Sequence, residues 1–396
     1  MVYITYDVPE RFRQITFEEL MSDKEIPLDF LRTGGRGSTR TVVCDRVPNR
    51  IMKITDVPMM IRQLQNFNET YQELLNHTPR SDLYDHFEIP KKSGGGMRPI
   101  DAPKPELKKA LAILKAMLSG WMFADHHTCA FAYVNERSTV DAAKKHQRFG
   151  GWYFAHYDFH GFFPSTTLEF LVSQMQVVYP FNLILANPVG APALRTALSL
   201  CFLNGGLPQG TPISPVLTNI MMIPFDHRFA RLLNKYESGK CNASGTPITD
   251  RICYTRYADD IHLSCHVIFN YHKVERDMIS LLQDLGAPFT LNTSKTHFGT
   301  RAGRNWILGV MLNKNNDITV GYRKHKIFKA QINSYLNDKR KGVKWNEEDL
   351  QRFRGTVSYY HMIEPETVDY IIQKYNAKYN ADFMALLQDD LSPHET

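Results

Sequence analysis

The chain has 396 residues, and its 47 Lys and Arg against 41 Asp and Glu give a formal net charge of +6. Hydrophobic residues make up 43% and charged residues 22%, a balance that provides for a sizeable core and excludes a disordered, collagen-like or low-complexity chain. At roughly 100–200 residues per domain the length allows about two to four packed units.

In chain order, residues 1–80 read as an N-terminal extension. Within it the stretch RTGGRGSTR (Arg32 to Arg40) has the composition of a solvated loop, and MIRQLQNFNETYQELL is helical in pattern. FEIPKKSGGGMRPIDAP (Phe87 to Pro103) predicts a hairpin: the glycines tolerate unusual backbone angles, the prolines block helix, and Lys91, Lys92 and Arg98 fall near the tip. A helix is predicted from Glu106 to about Met122, with Leu107, Leu111, Leu114 and Leu118 at helical spacing. WYFAHYDFHGFFPS (Trp152 to Ser165) predicts a strand ending near Asp158, with Trp152, Phe154, His156 and Asp158 on one face. LNGGLPQGTPISPVLTNIMM (Leu203 to Met222) starts as a Gly/Pro loop and becomes a helix with Ser214 as N-cap and Pro215 at its first position; Pro224 should kink or end it.

RICYTRYADDIHLSC (Arg251 to Cys265) predicts strand, tight turn and strand, with Asp259 and Asp260 at the turn. A helix near 272–285 follows, then a further hairpin over WILGVMLNKNNDITVG (Trp306 to Gly321) with its turn at Asn315-Asn316-Asp317. The last 75 or so residues read as helices. Phe328, Ile332, Tyr335 and Leu336 make one apolar stripe, Leu350, Phe353, Val357 and Tyr360 another, and Asn346 is placed to cap the second. Six cysteines show no Cys-x-x-Cys pair and fifteen histidines no His-Glu-x-x-His spacing, so reduced thiols are expected and a zinc site is not. No apolar run reaches the roughly 18 residues of a membrane span, and the N-terminus lacks a basic segment before an apolar one, so a cytoplasmic protein without membrane contact is expected.

The chemistry lies in the acidic residues. An isolated Asp158 ends an aromatic strand, and Asp259-Asp260 stand at a hairpin tip flanked by apolar strand residues. Carboxylates pushed together on a sheet edge repel unless cations neutralise them, and hard divalent ions take oxygen ligands and substrate phosphates together. Two-metal phosphoryl transfer has that requirement.

YADD at 257–260, DFHGFF at 158–163, LPQG at 207–210 and SPVLTN at 214–219 stand in an order that resembles the reverse transcriptases, within them the bacterial retroelement type: retrons, group II intron enzymes and defence-associated enzymes. The resemblance spans about residues 87–375. It implies an α+β right-hand polymerase, with fingers and palm over 81–320, the palm an antiparallel sheet bearing the catalytic hairpin, and a helical thumb with an acidic tail over 321–396. It implies RNA-directed DNA synthesis with two Mg²⁺ ions, Mn²⁺ being an alternative, and as partners an RNA template, a DNA or RNA primer and deoxynucleoside triphosphates.

Carried over residue by residue, Asp158, Asp259 and the Phe159 carbonyl would ligate the metals, with Asp260 beside them. Lys295 would give a proton to pyrophosphate. Phe163 would lie under the sugar and clash with a 2′-hydroxyl, Gln209 would pack near the templating pair, and Lys91, Lys92 and Arg98 would hold the triphosphate. On the thumb Lys324, Lys326, Lys329, Arg352 and Arg354 would track duplex phosphates. Retron enzymes carry Asn-Ala-x-x-His where this chain has Ala142-Ala143-Lys144-Lys145-His146, and Val-Thr-Gly where it has Ile307-Leu308-Gly309. Both departures leave another defence-associated group open, with a dedicated non-coding RNA as the template in either case. Template-independent or protein-primed synthesis on the same palm, and RNA binding without activity, are the alternatives.

The charge sits where such substrates would. Residues 91–115 hold seven Lys/Arg against two Asp/Glu, and residues 321–360 ten against four.

Overall fold

The structure is a computed structural model that describes residues 25–26, 52–53, 56–90, 96–122, 126–234, 236–241, 247–303 and 305–392. Lys91, Lys92 and the Arg32 to Arg40 stretch lie outside the described residues. The chain divides into two compact units, the larger formed by Met1–Arg137 with Ala155–Phe298 and the smaller by Ser138–Phe154 with Gly299–Thr396.

The larger unit is built around an antiparallel sheet whose strands run, edge to edge, Thr290–Leu291, Tyr153–His160, Asp260–Cys265 and Cys253–Tyr257, with His297–Thr300 also pairing on Tyr153–His160. The aromatic strand extends two residues past Asp158, to His160, because Phe159 and His160 pair with Leu291 and Thr290. Its alternation does not show as one wet and one dry face: Phe154, Ala155, Tyr157, Asp158 and Phe159 are all buried.

Helix Ser214–Leu233 crosses this sheet and is buried along most of its length. It runs through Pro224 instead of ending there; tertiary burial of the segment outweighs the lost backbone hydrogen bond. Ser214 is its first helical residue rather than its cap, and the Thr211 hydroxyl takes the capping bond, accepting from the Ser214 N–H at 3.2 Å. The N-cap position is Ile213, one residue before the Ser214 that the sequence marks.

Toward the N-terminus of the unit, helix Asp56–Thr70 packs on Gly190–Ser199, and helix Pro105–Trp121 buries Leu107, Leu111, Leu114 and Leu118 as their spacing predicts. The predicted fingers hairpin forms from Tyr84–Pro90 and Met97–Pro103. Only its base is buried. Phe87, Ile89 and Met97 stand 50%, 41% and 46% exposed, and Ile89 pairs across the ladder with Arg98.

The smaller unit has two cores. Helix Thr139–Phe149 opens with a capping box between Ser138 and Asp141 and lays Val140 and Ala143 on a three-stranded meander, Trp306–Ile307, Val310–Leu312 and Ile318–Thr319. Sequence reasoning expected one hairpin here. The additional turn is Leu308–Gly309, which a single glycine signals weakly, while the turn before Ile318 lies at Asn313 to Asp317 as predicted. The second core is the helical bundle Tyr322–Arg340, Glu347–Ile363, Pro365–Tyr379 and Phe383–Leu391, in which the stripe residues Phe328, Ile332, Tyr335, Leu336, Leu350, Phe353 and Val357 are buried together. Asn346 caps the second helix by accepting from the Asp349 N–H. The acidic tail is not a free run: Asp382 caps the last helix, and Asp390 takes hydrogen bonds from Tyr335 and Lys339.

Candidate active site

The hairpin Cys253–Tyr257 to Asp260–Cys265 closes with Tyr257 opposite Asp260, so Ala258 and Asp259 are the two turn residues and Asp260 opens the second strand. Ala258, the first central position of the turn, has φ +55°, a left-handed angle for which hairpin turns favour glycine. For an L-residue that backbone costs about 1–2 kcal/mol. The turn abuts the neighbouring strand, where the Phe159 N–H donates to the Asp259 carbonyl at 3.2 Å. This places Asp259 beside Asp158.

The electrostatics report the same crowding. Burial first, then the like charges of Asp260 and Asp158, push the Asp259 carboxyl up to about 6, against the pull of a backbone N–H and of Lys295. Asp158 is buried, and Lys295 reaches both of its oxygens at 3.1 Å. Asp260 is half-exposed and accepts from His156 Nε2 at 3.0 Å. Asp158, Asp259, Asp260, Lys295 and the Phe159 backbone are therefore brought together, although no group of three acidic, His or Cys side chains among the described residues closes into a ready metal cage. Carboxylates from two strands suit an ion that completes its shell with substrate phosphates.

Phe163 follows on the helical turn Phe162–Ser165, which starts after a left-handed Gly161. Its ring is partly exposed, and its carbonyl accepts from the Leu207 N–H at 3.0 Å. Gly206 permits this: a Cβ there would come 2.0 Å from the Pro164 carbonyl oxygen. Gln209 is tied to the fingers hairpin through its own carbonyl, which accepts from the Asp101 N–H at 2.7 Å. Its side-chain Oε1 is buried without a partner. Arg98 is exposed on that hairpin.

Several residues at the site were not singled out in the sequence. Tyr133, at φ +57° and 50% exposed, sets its ring 6.3 Å from Tyr257. Burial, Tyr257 and Asp259 raise its pKa while Arg98 opposes them, so it stands within electrostatic reach of both the hairpin turn and the fingers. His156 stacks on His262 at 4.6 Å. Beneath the hairpin, Arg256 and Asp226 form a fully buried pair at 2.7 and 2.8 Å. Burial works against the charge on Arg256, but Asp226 outweighs it and holds the guanidinium above its ordinary range. Arg256 directly precedes the YADD run, and Asn219 closes the SPVLTN run. The signal was adjacency to motifs, but nothing in the sequence says that these side chains meet.

On the thumb, Lys326, Lys329 and Arg354 are exposed. Lys324 instead donates to the Gly309 carbonyl at 2.5 Å, and Arg352 pairs with Glu348 and Asp349 on its own helix.

The sequence matches the reverse transcriptase (RNA-dependent DNA polymerase) family over residues 89–348, and the chain belongs to that family. It is an RNA-directed DNA polymerase with the right-hand fold, its palm the antiparallel sheet just described. Among similar curated proteins, the Retron Ec83 reverse transcriptase of Escherichia coli is 25% identical over 332 residues, 79% of this chain and 93% of that one. The Retron Ec73 reverse transcriptase of the same organism is 26% identical over 296 residues, 73% and 86% of the two chains. The Retron Mx162 reverse transcriptase of Myxococcus xanthus is 24% identical, covering 71% of this chain and 58% of that one. Ala142 and Ile307-Leu308-Gly309, which depart from the retron pattern, thus occur in a chain similar to retron enzymes. Among solved structures, telomerase from Candida albicans aligns over 88% of this chain and 71% of that one, at 10% identity and a TM-score of 0.42. Among the described residues no helix is long and apolar enough to cross a membrane.

Proposed function

We propose that this reverse transcriptase extends a primer at the Asp158 and Asp259 carboxylates by two-metal phosphoryl transfer, copying a dedicated non-coding RNA in a bacterial retron-like system active against phage. The observation that supports the chemistry is that burial, and then the like charges of Asp260 and Asp158, push the Asp259 carboxyl up to about 6; a site that strains to ionise without a cation is one that gains by binding it. Oxygen donors alone favour Mg²⁺, with Mn²⁺ as a substitute. When bound, the two ions supply Lewis-acid polarisation at the primer 3′-hydroxyl and at the departing pyrophosphate.

The chain's own residues orient and exclude. Asp158, Asp259 and the Phe159 carbonyl hold the ions, and Asp260, drawn aside by His156, acts next to them. Lys295 Nζ gives a proton to the leaving pyrophosphate in this reading, which its 3.1 Å contacts with the Asp158 carboxylate support. Phe163 fills the space that a 2′-hydroxyl would need, Gln209 backs the templating pair, and Arg98 with Lys91 and Lys92 grips the triphosphate. Lys326, Lys329 and Arg354 take duplex phosphates, a contact that weakens as salt rises.

Primer extension on an RNA template tests this. Asp158→Asn and Asp259→Asn should each lower incorporation on the order of 1,000-fold, about 4 kcal/mol of barrier, and chelation should abolish it until Mg²⁺ is restored; retained synthesis would end the two-metal reading. Phe163→Ala should raise ribonucleotide incorporation at least about tenfold relative to deoxynucleotide. Sequencing the nucleic acid that copurifies with the chain tests the template: a mixed population of cellular RNA, or DNA unrelated to any bound RNA, would sink the dedicated-RNA proposal. Plaque assays with the Asp158→Asn chain test the defence role, and unchanged protection would separate it from the chemistry.

A further inference from the structure

The hairpin turn and Tyr133 share one support. Arg256 is fully buried, and its Nε and Nη2 clamp the two oxygens of Asp226 on helix Ser214–Leu233. Tyr254 donates its hydroxyl to the same carboxylate at 2.7 Å. That leaves Nη1, which donates to the Ala258 carbonyl at 3.2 Å and to Asn219 Oδ1 at 3.3 Å. Asn219 in turn donates to the Ala132 carbonyl at 2.7 Å. The backbone of Arg256 is fixed as well, its N–H donating to the Cys129 carbonyl at 2.7 Å and its carbonyl accepting from the Phe131 N–H at 2.9 Å.

Both carbonyls that end this network border left-handed backbone. Ala258 itself has φ +55°, and Ala132 precedes Tyr133 at φ +57°. Non-glycine residues hold such angles only where the surroundings over-determine them, and such strain collects at functional sites. Here a planar, permanently charged fork serves a carboxylate on one edge and a carbonyl on another, a geometry that an ammonium cannot reproduce.

We propose that Arg256 is a positioning residue for the polymerase reaction: from beneath the sheet it holds the Ala258 carbonyl directly and the Ala132 carbonyl through Asn219, and so fixes the strained backbone that presents Asp259 and Tyr133 to the substrate. This rests on the reading that Asp259 supplies a carboxylate to the reaction. Asp226 sets the plane of the fork, and Arg256 itself touches no reacting atom. Displacing a reacting group by about 1 Å costs on the order of 100-fold in rate, so a loosened turn should act on the chemical step while the triphosphate contacts of the fingers stay intact.

The test uses the full chain, a riboadenylate homopolymer template, an oligodeoxythymidylate primer, deoxythymidine triphosphate and Mg²⁺. Arg256→Lys keeps the charge beside Asp226 but loses the fork. It should lower kcat about 100-fold with the nucleotide KM within about threefold. Hydrogen exchange of the Phe159 amide, which donates to the Asp259 carbonyl, should quicken. Adding Ala258→Gly to Arg256→Lys lets the turn adopt its left-handed angle without steric cost and should restore kcat at least about tenfold, a rescue that a merely structural role would not give. Arg256→Lys with kcat within about threefold of the parent and unchanged Phe159 exchange overturns the proposal, as does a loss that the glycine does not relieve. If Arg256→Lys fails to fold cooperatively, Asp226→Asn, which keeps the guanidinium and the side-chain shape, is held to the same criteria. Asp259→Asn separates the two readings. If it still polymerises, the role of Asp259 fails; if it is inactive beside a fully active Arg256→Lys, only the positioning role fails.

Discussion

Two hairpin turns in this chain solve the same conformational problem with different cations. In the palm, Ala258–Asp259 turns with φ +55° at Ala258, and in the smaller unit Leu308–Gly309 turns with φ +52° and +91°. Each carries a non-glycine residue in left-handed backbone, and in each a cation donates to a turn carbonyl: Arg256 to Ala258, Lys324 to Gly309. The palm cation is fully buried, clamped at 2.7 and 2.8 Å by a carboxylate that is itself buried. The other is half-buried on a flexible four-carbon stem, and burial lowers its pKa. A buried fork cannot leave without stranding a charge. A lysine near solvent can exchange its carbonyl for water at little cost. The palm turn is thus held from within the core, and the other from near solvent.

The comparison breaks first at Asp226. Asp226→Ala strands the Arg256 charge in the core and should cost about 3–5 kcal/mol of stability, read as the denaturant midpoint of the full chain; a loss under about 1 kcal/mol would mean that the pair is no firmer than a surface contact. A second measurement concerns pH in the smaller unit, where burial, helped by Lys145, lowers the His146 pKa to about 3. Its folded pKa lies below the ordinary value of about 6.5, so the unfolded chain binds its proton first. The stability it contributes is present above about pH 6.5 and is lost as pH falls, by roughly 2 kcal/mol at about pH 5. Replacing His146 with Leu should shrink the stability difference between about pH 7 and pH 5 by that amount, whatever it does to stability at neutral pH. The smallest effect belongs to the turn of the smaller unit: Lys324→Met should cost no more than about 1 kcal/mol of stability, read as the denaturant midpoint of the full chain. Equal stability losses for Lys324→Met and Asp226→Ala would erase the distinction between the turns.

What was legible in the sequence was local. The YADD hairpin, the Asp158 strand, the 105–121 and 271–284 helices and the apolar stripes of the thumb follow from period, turn residues and caps, each set by neighbours within a few positions. The same locality explains the misses. Pro224 does not break its helix because burial by residues far along the chain decides the matter. Leu308–Gly309 turns without a strong turn signal because the meander on either side dictates the register.

For the site, the sequence by itself determined which residue types could do the chemistry: Asp158, Asp259 and Asp260 as carboxylates, Phe163 as a bulky ring, Lys295 as a cation. It did so through the order of the YADD, DFHGFF, LPQG and SPVLTN runs and the family resemblance that they carry. Only the tertiary structure decided how those groups are held. That Lys295 closes on Asp158, that His156 draws Asp260 aside, and that Arg256 reaches Asp226 and Asn219 at once are meetings of residues 137, 104, 30 and 37 positions apart in the chain. Such contacts depend on how strands and helices stack, and side-chain pairing across a folded core leaves no periodic trace in the chain that makes it.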